Sequence, residues 1–86
     1  MESYSLRIKR SAAKELGSID SRKGRRRVVE RIQALAVDPR PPGCQKLSGS
    51  DRYRVRQGIY RIVYAIDDER LAITIVKIGH RKEVYR

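Results

Sequence analysis

The chain contains no tryptophan, no phenylalanine, one histidine and one cysteine. A lone Cys44 excludes an internal disulfide, and with only His80 to join it there is no ligand set for zinc or another soft metal. Cys44 lies in a Pro/Gly-rich stretch with no histidine near it in sequence, so it reads as a reduced thiol and not as a nucleophile. No apolar run is long enough to span a bilayer, and the N-terminus lacks a signal-peptide core, which points to the cytoplasm. Acidic residues are scarce: 10 Asp and Glu face 21 Lys and Arg, a formal net charge of +11. A field of that sign attracts polyanions and speeds encounter with them. Charge alone does not separate RNA, DNA, an anionic membrane surface or an acidic protein.

What is present suits one small domain over residues 1–86, with no repeat, low-complexity tract or linker. Tyr4, Leu6 and Ile8 alternate with polar residues as in a half-buried strand. Ser11 is placed to cap a short helix through Ala12, Ala13, Leu16 and Ile19. Asp20 or Ser21 can cap a longer helix to about Val37, whose apolar Val28, Val29, Ile32, Leu35 and Ala36 share one face. Asp38-Pro39 ends it, because the residue before proline is pushed out of the helical region. Residues 40–51, rich in Pro, Gly and small polar side chains, form a long loop anchored by Leu47.

The segment from Tyr53 to Tyr64 reads as two strands joined by a two-residue turn at Gln57-Gly58. That register sets Arg54 opposite Arg61 and sends Arg54, Arg56 and Arg61 to one sheet face. Opposed like charges destabilise a sheet, so the arrangement needs an anion to explain it. The natural candidate is a phosphate or the phosphorane-like transition state of its transfer. On an open face, loss of Arg61 would leave stability within roughly 1 kcal/mol of its starting value.

A second turn at Asp67–Arg70 leads into a last strand, Leu71 to Ile78. Pairing Asp67 with Arg70 sets Ile66 against Leu71, Tyr64 against Ile73 and Ile62 against Ile75. With Tyr53, Val55 and Tyr60 these form an apolar face for the helices. The other face carries Val63, Ala65, Ala72, Thr74, Val76 and the arginines, and His80 has the arginine-side parity. The expected fold is α+β: a strand, a two-helix hairpin, then three antiparallel strands, with both helices on one sheet face.

With these residues placed, the chain resembles the RelE/ParE toxin superfamily, and within it the RelE-like messenger-RNA endonucleases. The resemblance covers nearly the whole chain. It is carried by Lys46-Leu47-Ser48-Gly49, by Tyr53-Arg54-Val55-Arg56 with Tyr60-Arg61-Ile62-Val63-Tyr64, and by the segment from Ile78 to Arg86. It implies a type II toxin that enters the A site of the 30S subunit in the 70S ribosome and cuts the messenger there. It also implies no metal or cofactor, and a small RelB-like antitoxin as cognate partner. The positions matching the family's functional ones are Arg54, Arg56, Arg61, Arg81 and Tyr85. Positions 54 and 56, lysines in some relatives, are arginines here and so poorer general bases. Where some members carry a glutamate base before the hairpin, this chain has Gln45 and Lys46.

Metal-free cleavage proceeds by attack of the ribose 2′-OH on the adjacent phosphorus. The 2′-OH must lose its proton, the phosphorane must be stabilised, and the 5′ oxygen must gain a proton. Arginines suit the second task through paired N–H donors and a permanent charge. His80 is the one side chain that ordinarily titrates near neutrality. Tyr85 can orient the 2′-OH, or accept its proton if the arginines acidify it.

The densest basic run, Arg22, Lys23, Arg25, Arg26, Arg27 and Arg31, is read as a helix face for ribosomal RNA phosphates, joined by Lys46. Its plain alternative is a solvated surface. Tyr60 and Tyr64 fall on the helix-covered face, which favours core packing over base stacking. Two other functions use the same features: a ParE-like toxin that inhibits DNA gyrase without cutting, and a simple RNA-binding module. The second lacks the exposed sheet aromatics expected of such modules.

Overall fold

The computed structural model describes residues 3–47, 49 and 51–80. Strand β1 (Ser5–Ile8) is followed by helices α1 (Arg10–Gly17) and α2 (Arg22–Val37). Strands β2 (Gln45–Lys46), β3 (Arg52–Gln57), β4 (Tyr60–Asp67) and β5 (Ala72–His80) complete the described elements. The five-stranded sheet has the order β1-β5-β4-β3-β2, with β1 parallel to β5 and the other pairs antiparallel. The α+β architecture is as expected from the sequence, with one added element: the loop before β3 contains the two-residue β2.

Both helices lie on one sheet face because their apolar stripes match its apolar residues. Ala12 of α1 and Val28, Ile32 and Leu35 of α2 pack with Val55, Ile62, Tyr64, Ile66, Ile73, Ile75 and Ile78. The Ser21 hydroxyl caps α2 by accepting from Gly24 N at 3.0 Å, satisfying a backbone donor that the helix leaves unpaired. Gly24 leaves room for this cap, since a Cβ there would come within 3.3 Å of the Ser21 Cβ and Oγ. Helix α1 departs from the expected cap: Lys9 holds the cap position with no side-chain bond, Ser11 lies inside the helix, and Ile19 is buried beyond its end.

Three register details differ from the sequence reading. The first turn is Gly58-Ile59, so Gln57 faces Tyr60, Arg56 faces Arg61 and Arg54 faces Val63. Gly58 has φ +61, while Ile59 is not in the positive-φ region. Tight hairpin turns need positive φ at their first central residue, and glycine meets that where Gln57 would be strained. The second turn is also longer, with Asp67 facing Ala72 and Leu71 at φ 51. Arg70 N donates to Asp67 Oδ1 at 3.1 Å across it.

The third difference is a β-bulge. Tyr64 faces Ile75 but Val63 faces Lys77, leaving Val76 as an extra residue on β5. An extra residue reverses the alternation beyond it. Ile78 thereby enters the core. His80 pairs with Tyr60 on the helix side, not on the arginine side.

Candidate active site

The register brings Arg54 and Arg56 of β3 and Arg61 of β4 to the face that neither α1 nor α2 covers. The arginine pair across the strands is therefore Arg56–Arg61, one step from the expected Arg54–Arg61. Their exposures differ sharply. Arg56 is exposed and Arg54 half-buried, but Arg61 is only 1% exposed and is the one buried charged side chain among the described residues. Arg61 thus does not stand on an open face, and the expectation that its removal would be nearly free of cost is overturned.

Strand β2 adds to this face. Gln45 pairs with Arg54, and Gln45 Oε1 accepts a hydrogen bond from Arg54 Nη2. Lys46 pairs with Tyr53 and so has the opposite parity, away from the arginines. Past the bulge, Lys77 takes the arginine-side parity opposite Val63, and its ammonium bonds Glu15 Oε2 at 2.8 Å. The other Glu15 oxygen accepts from Ile78 N at 3.0 Å, satisfying a β5 donor beyond the end of β1. Neither Lys77 nor the Gln45 contact was legible in the sequence. A bulge has no alternation signature, and a two-residue strand is too short to have a pattern.

His80 sits apart from the arginines. Its ring meets the Tyr60 ring edge-on at 6.1 Å, and it lines a cleft of about 440 Å³ with Lys14, Glu15, Ser18 and Asp20. Arg81 and Tyr85 lie outside the described residues. Among the described residues no three His, Cys, Asp or Glu side chains gather as metal ligands. No helix among them is long and apolar enough to cross a membrane.

The basic run on α2 divides in two. Arg22, Lys23, Arg26 and Arg27 are exposed around a shallow groove shared with Glu30, which pairs with Arg26 at 3.8 Å. Arg25 turns back to donate to Ile19 O at 3.2 Å, and Arg31 is half-buried and near enough to Tyr64 to favour its ionised form. No acidic residue occupies the first turn of α2, so the exposed cations add to the positive end of the helix dipole.

At the opposite end of the sheet, a polar clasp joins distant segments. Arg40 donates to both Asp68 oxygens at 3.3 and 2.9 Å and to Tyr53 Oη at 3.2 Å, while Tyr4 Oη donates to Asp68 Oδ1 at 2.7 Å. The Arg40 bond holds the Asp68 carboxyl below its usual range, and Asp68 in turn raises the Tyr4 phenol. Tyr64 Oη donates to Pro39 O at 2.6 Å. Burial raises the Tyr64 phenol, with Cys44 adding to the shift.

This fold is shared with known toxins. The family described as the ParE toxin of the type II toxin–antitoxin system parDE matches residues 6–85. The archaeal RelE–RelB complex from Pyrococcus horikoshii contains a chain with a TM-score of 0.82 and 30% identity, covering 94% of this chain and 98% of that one. A chain of the toxin–antitoxin complex RelBE2 from Mycobacterium tuberculosis matches with a TM-score of 0.78 and 26% identity, over 92% of this chain and 99% of its own length. Toxin RelG of Mycobacterium tuberculosis is 38% identical over 45 residues, so the chain spans about half the length of this curated relative (49%, and 52% of this chain). The chain belongs to the ParE toxin family of type II toxin–antitoxin systems, within the RelE/ParE superfamily.

Proposed function

We propose that this toxin is a metal-independent endoribonuclease that cuts messenger RNA in the A site of the 30S subunit and so stops translation in the cytoplasm. The observation that carries the reading is the convergence of Arg54, Arg56 and Arg61 on a sheet face left bare by both helices. Like charges set opposite each other cost stability, and a phosphorane would use that charge. Arg54 and Arg56 are the accessible donors for the substrate phosphate. Arg61 acts from beneath, adding its positive charge to theirs.

The 2′-OH attacks phosphorus, the P–O5′ bond breaks with the 5′ oxygen taking a proton from water, and a 2′,3′-cyclic phosphate and a 5′-OH remain. Arginine keeps its proton at any ordinary pH, so it serves the developing charge and not the deprotonation. Tyr85 is assigned to orient the 2′-OH or take its proton, and Arg81 to join the phosphate clamp, both on the family resemblance. Position 80 is not part of this set, because its side chain is on the helix side. The exposed cations of α2 hold ribosomal RNA phosphates, and a cognate RelB-like antitoxin neutralises the toxin between uses. The relatives crystallised as RelE–RelB and RelBE2 complexes support that partnership.

Primer extension on a translated messenger tests the reading. Cuts at the A-site codon on programmed ribosomes, with naked RNA largely intact, are expected, because ribosomal positioning supplies part of the acceleration. Equal cutting of both substrates would remove the ribosome from the mechanism. A second reading compatible with the ParE family description is a toxin that inhibits DNA gyrase without cutting RNA. Inhibited supercoiling by purified gyrase with uncut messenger would establish that one instead.

A further inference from the structure

We propose that Gln45 is a positioning residue for Arg54, holding its guanidinium toward the substrate phosphate without cancelling its charge. This deepens the endonuclease reading and rests on it. Strand β2 is two residues long, and its register places Gln45 opposite Arg54 on the arginine face while turning Lys46 the other way. Gln45 Oε1 accepts directly from Arg54 Nη2.

The type of partner matters. Arg40 is held by the carboxylate of Asp68, and Arg70 pairs with that of Asp67. Those partners neutralise the charge they orient. Arg54, on the candidate catalytic face, is held by a neutral amide. A glutamine oxygen uses one of the five guanidinium donors and leaves the charge and the remaining N–H groups for a phosphate. Gln45 is exposed and Arg54 half-buried, so this contact lies at the β2 edge of the sheet within reach of solvent and of an incoming phosphate. An arginine already ordered loses less freedom when substrate binds and starts closer to the reactive geometry.

The test compares wild type, Gln45→Ala and Gln45→Glu by melting curves, Arg54 side-chain ¹⁵N spectra and single-turnover cleavage on programmed ribosomes. Gln45→Ala is expected to melt with the wild type and to cut about 10-fold more slowly, with ribosome affinity changed by less than about twofold. Its Arg54 Nη protons should collapse to the averaged signal of a freely rotating guanidinium. Gln45→Glu retains an acceptor, so Arg54 stays resolved, but the added charge should lower ribosome affinity and flatten its salt dependence. An Arg54 spectrum unchanged in Gln45→Ala, or cleavage at the wild-type rate by that variant, would overturn the proposal. A wild type that cuts nothing would remove the endonuclease reading and this role with it. An active wild type indifferent to position 45 would remove the role alone.

Discussion

Arg56 and Arg61 face each other directly across β3 and β4, yet Arg56 is exposed while Arg61 is 1% exposed. The two cations therefore contribute differently. In the proposed mechanism one meets the substrate, while the other fills space beneath the face.

Replacing Arg61 separates these contributions. Arg61→Ala removes a large buried side chain and is expected to cost about 2 kcal/mol through the space it leaves, less whatever repulsion from Arg56 is relieved. Arg61→Met keeps most of the volume and should melt near the wild type. Both variants should cut more slowly, by a factor on the order of 100 if the Arg61 charge supports the phosphorane. Melting curves beside single-turnover cleavage check this. Normal cutting by Arg61→Met would show the residue to be packing alone.

The division within α2 predicts an uneven salt response. Each exposed cation that holds an RNA phosphate should contribute about 0.7 to 0.9 to the slope of log affinity against log salt. Arg27→Gln should reduce the slope by that amount. Arg25→Gln should reduce it little, because Arg25 is engaged with the Ile19 carbonyl. Ribosome binding measured across a salt series distinguishes them, and equal losses would contradict the division.

The clasp around Asp68 should fail in acid. A carboxyl held below its unfolded value near 3.8 stabilises the fold above that value and loses the contribution as pH falls through the folded one. Wild type should therefore melt above Asp68→Asn at neutral pH, and the two curves should draw together as pH falls below 3.8. The gap will be small, since these groups are exposed and solvent screens them. A gap that grows in acid would refute the assignment.

Tyr64 predicts the opposite limb. Its phenol is raised above the ordinary 10.0, so its contribution is intact below that value and is lost as pH rises through the folded one. Tyr64→Phe should cost about 1 kcal/mol at neutral pH by leaving the Pro39 carbonyl without its donor. Near about pH 12 the wild type should lose much of this advantage. Melting temperatures at both pH values decide the matter.

Most of the fold was legible because its signals are local. The spacing of Val28, Ile32 and Leu35 marks α2, and Ser21 and Pro39 mark its ends. The apolar face of β3 and β4 survived a wrong turn assignment: shifting the turn from Gln57-Gly58 to Gly58-Ile59 moves each partner by two and leaves parity unchanged. His80 lies on the face opposite to the one alternation predicts because the bulge at Val76 moves parity by one. Nothing in Ile75-Val76-Lys77 announces which residue lacks a partner. Arg61 burial was hidden for a similar reason: alternation assigns a side chain to a face but does not say whether that face is wet. The Gln45–Arg54 contact depends on two residues of pairing, too few for any periodic pattern.

The parallel joining of β1 to β5 has a consequence for the order in which the protein is made. Ser5 N bonds the carbonyl of Leu71, 66 residues later, and α1 packs chiefly on β5. Closing so long a loop carries an entropic cost that is recovered only when β5 is available to pair. During synthesis the first strand and both helices must therefore wait, without their sheet, until β5 has been made. Ribosome-bound chains stalled before Leu71 should be rapidly digested by protease, and chains extended well past His80 should resist. A nascent chain built this way cannot assemble its sheet until β5 has been translated.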